Sequence, residues 1–168
     1  MTPSERWAFA CRCKEIGNRG FKASDWEYAM LAYQEGLRYL EYVPHGREMQ
    51  PVPGLDHGGA EQLDKDMSLA VTLFSNLGAV SLKLEDPHQA LHYTEKALRF
   101  DAAHVKSHFR RSQAFLALGE HSQALAAAEE VLRQEPKNAE AVGLKSAAAQ
   151  GLQIARRKEK ALFSKMLG

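Results

Sequence analysis

Small and apolar residues recur along this chain with a fixed long period. Phe74-Ser-Asn-Leu-Gly78, followed by Ala90 and Ala97, aligns with His108-Phe-Arg-Arg-Ser112, followed by Ala124 and Val131. Each matched pair, such as Gly78 and Ser112 or Ala90 and Ala124, stands 34 apart. Gly17 and Ala29 repeat the step of 12 from Gly78 to Ala90, which gives a third copy upstream. Small residues so placed belong where two helices of a pair cross closely, and a period of this length marks stacked helix pairs. The pattern predicts repeat one over about 10–43, repeat two over 71–104 and repeat three over 105–138. Gly17 and Gly78 stand 61 apart, 27 beyond one period. The excess falls in Tyr42 to about Ala60, where Pro44, Pro51, Pro53, Gly54, Gly58 and Gly59 rule out a continuous helix. An irregular insertion is expected there, about 43–70 with the start of a helix included. A loose surface loop is the favoured reading over a functional lid.

Helix punctuation agrees with the frame. Ser24 and Glu27 read as a capping box opening the second helix of repeat one. Asp86-Pro87 supplies an N-cap with proline at the first helical position. Gly119 separates the two helices of repeat three. After Pro136 a proline-free pattern runs from about Asn138 to Leu167, predicting a capping helix over 139–167. The fold class expected is all-α, a right-handed solenoid of three helix pairs closed by that long C-terminal helix. A cap is physically required, because the last repeat otherwise exposes its apolar face.

Charge adds little globally: 22 Lys and Arg stand against 21 Asp and Glu, a formal net charge of +1. Nothing in that balance argues for nucleic acid. Cys11 and Cys13 lie two apart, which on a helix points them to different faces, so neither a mutual disulfide nor a metal pair is expected. Unpaired thiols suit a reducing compartment and make the cytoplasm the expected location. No apolar run approaches the roughly 20 residues of a membrane span, and the N-terminus lacks a secretory apolar core. His88/His92 and His104/His108 are i,i+4 pairs that could in principle ligate zinc, yet no cysteine or carboxylate cluster completes either. Asp64 and Asp66 are read as dipole-favoured acids at a helix start. No nucleophile–base set, phosphate loop or H-E-x-x-H motif is present, so no catalysis, cofactor or metal is expected of this chain.

Local charge is more informative. In such a solenoid the first helix of each pair lines the concave side. Repeat one contributes Lys14 and Asn18, repeat two Asn76, and repeat three Lys106 and Arg110, with no acid among the five. Two ammoniums, a guanidinium and two amides form a receptor for a carboxylate-rich ligand. Phe21, Ala79 and Phe109 are candidates for an apolar pocket beside them, with core packing as the alternative.

The period, with Pro136 closing a unit, resembles the tetratricopeptide repeat. The set Lys14-x-x-x-Asn18, Asn76 and Lys106-x-x-x-Arg110 resembles the carboxylate clamp of co-chaperone tetratricopeptide domains. That resemblance implies as ligand an acidic tail ending in Glu-Glu-Val-Asp, as carried by heat-shock protein 90 (Hsp90) and heat-shock protein 70 (Hsp70). A wider resemblance rests on Asp25-Trp-Glu-Tyr-Ala29, Leu37-Arg-Tyr39, Asn76-Leu-Gly-Ala79, Leu82-Lys-Leu84 and Phe109-Arg-Arg111. With the tail from Arg156 to Met166, these look like the C-terminal half of large immunophilins, of the cyclophilin type first and the FK506-binding type close behind. Such proteins carry a peptidyl-prolyl isomerase domain ahead of the repeats, so this chain reads alternatively as the targeting half of an isomerase. A scaffold for internal helices is a third reading. The basic stretch Arg156 to Lys165 is either a calmodulin-target helix, which the same resemblance implies, or a solvated helix end.

Overall fold

The computed structural model describes residues 1–40, 42–45, 48–51 and 58–168. Seven helices dominate them: α1 (Pro3–Lys22), α2 (Trp26–Leu40), α3 (Ala60–Lys83), α4 (Pro87–Phe100), α5 (Val105–Ala117), α6 (His121–Gln134) and α7 (Ala139–Leu167). Consecutive helices pair as α1/α2, α3/α4 and α5/α6, and α7 closes the end against α6. The first helices also touch one another in sequence, α1 to α3, α3 to α5 and α5 to α7, and form the inner layer. No helix among the described residues is long and apolar enough to cross a membrane.

The small-residue register sets how closely each pair packs. A Cβ at Gly17 would lie 2.4 Å from the Tyr33 ring, and one at Gly78 would lie 2.9 Å from Thr94 Cγ2. Tyr33 and Thr94 follow their glycines at the same offset along the chain, and the third equivalent sets buried Ser112 against buried Ala128. Ser112 turns its hydroxyl into the contact, donating to the Ala124 carbonyl at 2.8 Å. Where helices approach this closely, only glycine or a small side chain whose polar atom finds a partner fits without strain. The core runs through Tyr33, Leu40, Leu69, Leu73, Leu77 and Val80, all buried. Phe74 stacks on Phe100 at 6.2 Å between centroids.

The turns within the three pairs share one device. Ser24, Glu85 and Gly119 adopt positive φ of 59°, 58° and 74°. The next N–H then reaches back to the preceding helix, from Asp25 to Gly20, Asp86 to Ser81 and Glu120 to Phe115, each at 2.9 Å. This closes the exposed carbonyl end of each first helix. It also corrects the expected capping box. Ser24 is spent on the left-handed position, and Asp25 is the residue whose carboxylate accepts the Tyr28 N–H at 3.2 Å. The Asp86 cap stands as expected, accepting from the Gln89 N–H at 2.9 Å. Asn138 caps α7 through the Ala141 N–H at 3.0 Å.

Two further expectations change. Of the insertion expected to be irregular, residues 46, 47 and 52–57 lie outside the described residues. Within it β1 (Tyr42–His45) and β2 (Glu48–Pro51) pair antiparallel, Tyr42 opposite Pro51 and His45 opposite Glu48. A two-stranded ladder has two edges, so prolines that forbid a helix are tolerated there. Asp66 is not at a helix start: α3 begins at Ala60, and Asp66 lies buried two turns in, accepting from Gln62 Nε2 at 2.8 Å.

Candidate binding groove

Every one of the five polar candidates stands on an inner-layer helix. Lys14 and Asn18 lie one turn apart on α1, Asn76 on α3, and Lys106 and Arg110 one turn apart on α5. Three adjoining clefts connect them. The first, about 420 Å³, lies between α1 and α3 and is lined by Trp7, Cys11, Lys14, Lys65 and Thr72. Thr72 is shared with the second, about 390 Å³, which holds Ser75, Asn76, His104 and Lys106. Lys106 is shared with the third, about 520 Å³, which holds Phe109, Arg110, Glu135 and Glu140. Four of the five therefore line one continuous depression. Asn18 lines none of the three clefts.

Tyr33 is the partner that holds Asn18. Its ring rests on Gly17, and its hydroxyl donates to Asn18 Oδ1 at 2.8 Å. With its oxygen so committed, the Asn18 amide presents its N–H donors, the polarity a carboxylate ligand needs. Tyr33 itself is buried, and burial raises its phenol above the ordinary value, while the nearby Arg110 charge pulls the other way.

Arg110 is the electrostatic centre of the groove. Nη1 donates to Ser75 Oγ of α3 at 2.5 Å. Burial lowers its pKa to about 10, opposed by Tyr33, and the side chain stays a cation at neutral pH. No carboxylate is ion-paired with Lys14, Lys106 or Arg110 among the described residues; the ion pairs there are elsewhere, such as Arg38–Glu35 and Arg99–Glu95. A desolvated guanidinium without a counter-ion is costly, because proteins ordinarily pair buried charge. An anionic ligand would supply that counter-ion. Acids do stand at the margins: Glu61 and Asp64 line the first cleft, Asp101 and Glu135 the second, and Glu135 and Glu140 the third. The basic surface is thus bounded by acids at both ends rather than continuous.

The apolar candidates separate. Phe21 packs edge-on against Trp26 at 5.1 Å and joins the core cluster. Phe109 is half-buried and lines the groove beside Lys106 and Arg110. Ala79 is half-buried one turn beyond Asn76 on α3 and lines none of the three clefts. Of the histidines, His104 Nδ1 bonds Ser107 Oγ and His108 Nε2 bonds the Ala102 carbonyl, both at 2.8 Å. Each is engaged locally at the start of α5. Tyr33 and Ser75 are the residues sequence reasoning missed. A signal for Tyr33 did exist: a large side chain follows Gly17 at the offset where repeat two has the smaller Thr94 after Gly78.

No protein-family model matches the chain. Mouse (Mus musculus) peptidyl-prolyl cis-trans isomerase FKBP4 is 30% identical over 168 residues, covering 99% of this chain and 34% of FKBP4. The chain thus spans about a third of that relative's length. Among solved structures, the C-terminal domain, containing tetratricopeptide repeats, of a putative FK506-binding protein from Plasmodium falciparum superposes with a TM-score of 0.80 at 22% identity, covering 94% of this chain and 97% of that one. The myosin chaperone UNC-45 from C. elegans, solved in complex with an Hsp90 peptide, gives a TM-score of 0.72 at 27% identity, over 93% of this chain and 15% of that one. The chain is a tetratricopeptide-repeat module, similar along its whole length to the repeat region of the FK506-binding immunophilins.

Proposed function

We propose that the groove is a co-chaperone binding site for the acidic C-terminal tail of Hsp90, with the Hsp70 tail as a related ligand. The observation that carries this reading is Arg110: a desolvated cation, held by Ser75 and without a carboxylate partner among the described residues, in line with Lys14, Asn18, Asn76 and Lys106. The similarity to UNC-45, which was solved with an Hsp90 peptide, supports it. A tail ending in Glu-Glu-Val-Asp carries two carboxylates on its last residue. In this reading Lys14, Asn18 and Asn76 take one of them and Lys106 and Arg110 the other, and Phe109 offers apolar contact. Each charge-assisted hydrogen bond contributes about 1.5–3 kcal/mol, and ordering the peptide offsets part of the sum. The expected dissociation constant is on the order of micromolar, roughly −8 kcal/mol.

Calorimetric titration with a free-acid peptide ending in Glu-Glu-Val-Asp tests the reading directly. Lys106→Ala is expected to weaken binding about tenfold, the loss of one charge-assisted contact. Amidating the peptide's terminus is expected to remove most of the binding. If amidated and free peptides bind alike, the groove reads something other than a terminal carboxylate.

A second reading follows from the similarity to FKBP4: the chain is the targeting half of a peptidyl-prolyl isomerase that acts in the compartment of its chaperone partner, the cytoplasm in this reading. Its chaperone contact is then a means of localisation. Prolyl isomerase assays separate the parts: the isolated chain is expected to be inactive, and its full-length gene product active.

A further inference from the structure

The last helix does two different things along its length. Its first half is packed: Ala141 and Ala148 are buried, and Leu144, Gly151 and Leu152 are half-buried toward α5 and α6. The His121 ring of α6 lies so close to Gly151 that a Cβ there would come within 2.2 Å of it. From Gln153 to Gly168 every residue is exposed. The packed face does not stop at that boundary. Ala141, Leu144, Ala148 and Leu152 advance by steps of three or four, and the same steps continue through Ala155, Glu159, Leu162 and Met166. Leu162 is 58% exposed, Met166 73%, and Phe163 beside them 56%. Alternating steps of three and four make a narrow heptad seam, the geometry by which one helix receives another.

Charge identifies the occupant. The exposed half carries Arg156, Arg157, Lys158, Lys160 and Lys165 against the single acid Glu159. Arg156 flanks the seam on one side, and Lys158 and Lys165 flank it on the other. A second copy of the chain would set these cations against their own kind and Glu159 into a like seam. A lipid surface would have to take the Glu159 carboxylate at the middle of its apolar contact. A helix with acidic flanks meets every requirement, provided it offers a cation to Glu159.

We propose that the exposed half of α7 docks an amphipathic helix of a partner protein, with Asp or Glu flanking its apolar seam and a Lys or Arg facing Glu159. The partner helix continues, beyond the packed end of α7, the face by which α7 meets α5 and α6.

The probe is a synthetic three-heptad peptide with leucine along the seam, glutamate at both flanks, one central lysine in the seam and an amidated C-terminus. Fluorescence anisotropy with the whole chain is expected to show binding, and a twin with lysine flanks is expected to bind at least about tenfold more weakly. Leu162→Asp or Met166→Asp is expected to lose about tenfold or more with an unchanged circular dichroism spectrum, since both side chains are exposed. Glu159→Lys is expected to lose binding and regain it with a peptide whose seam lysine is replaced by glutamate. Equal binding of the two peptides, or no effect of Leu162→Asp, overturns the proposal. So does a comparable loss in Arg110→Met, which would place the peptide in the groove. Binding to phosphatidylserine vesicles that Leu162→Asp abolishes, or a dimer in sedimentation equilibrium that the same change dissolves, assigns the seam to lipid or to a second copy and equally overturns it.

Discussion

Tyr33 belongs to the second helix of its pair, yet its hydroxyl ends at Asn18, a residue proposed for the binding site. It gets there because Gly17 leaves room for the ring, so one glycine on α1 lets α2 orient Asn18. Tyr33→Phe keeps the ring on Gly17 and removes only the donor. A neutral intramolecular hydrogen bond contributes about 0.5–1.5 kcal/mol net to stability, so the melting temperature is expected to fall by roughly 1–6 °C, and peptide affinity is expected to fall with it because Asn18 loses its orienting partner. A fall in stability without a fall in affinity would assign Tyr33 to the core alone. Arg110 offers the complementary test. Arg110→Met retains a long apolar stem and discards the charge; replacing whole buried ion pairs by apolar residues is often neutral or stabilising by about 1–4 kcal/mol, and here no counter-ion is left behind among the described residues. Urea unfolding is therefore expected to show unchanged or higher stability, while calorimetry shows peptide binding reduced at least about tenfold. A large loss of stability would mean that Arg110 serves the fold, and the groove assignment would lose its centre.

At the scale of elements, the turns of the three pairs solve one problem with three residues, and only Gly119 adopts its φ freely. Ser24 and Glu85 hold the left-handed conformation at a cost of about 1–2 kcal/mol each. Glu85 is exposed, so Glu85→Gly relieves strain without disturbing packing. Allowing for the greater freedom of glycine in the unfolded chain, a net gain of about 1 kcal/mol is expected, or roughly 2–4 °C in melting temperature. Scanning calorimetry showing a lower melting temperature would refute the strain assignment. The same turns show what the sequence made legible. Gly78, Ala90 and Ser112 announce the helix crossings because close approach restricts residue size, and size is written directly in the chain. The inner-layer positions of Lys14, Asn76 and Lys106 follow from helical spacing once that frame is known. The role of Asp25 is hidden because Ser-x-x-Glu fits a capping box equally well until the left-handed residue is placed. Tyr33 and Ser75 escape because their contacts, to Asn18 and Arg110, join different helices and follow no local period. The β1/β2 ladder is masked by prolines, which exclude a helix without indicating what replaces it.

The whole molecule is nearly neutral, with a net charge of +1, so long-range attraction of an acidic tail depends on where charge sits rather than on how much there is. Among the described residues, exposed ion pairs include Arg38–Glu35 and Lys65–Glu61. Each such exposed pair is worth about 0–1 kcal/mol, so screening these pairs should hardly move the melting temperature. The groove should behave differently. Raising ionic strength shortens the Debye length from about 10 Å at 0.1 M to about 3 Å at 1 M, so tail affinity should fall over that range. The five residues proposed for the site should not contribute equally to the fall. Lys106 is exposed and its attraction is screened, whereas Arg110 is largely removed from solvent and acts at contact range. Lys106→Ala is therefore expected to flatten the salt dependence of binding, while Arg110→Met lowers affinity at every salt concentration and leaves the slope nearly intact. Titrations of both variants across that range, with thermal melts in the same buffers, check the division. Affinity indifferent to salt, or equal flattening by both substitutions, would show that the two cations do not divide into an exposed steering charge and a desolvated anchor.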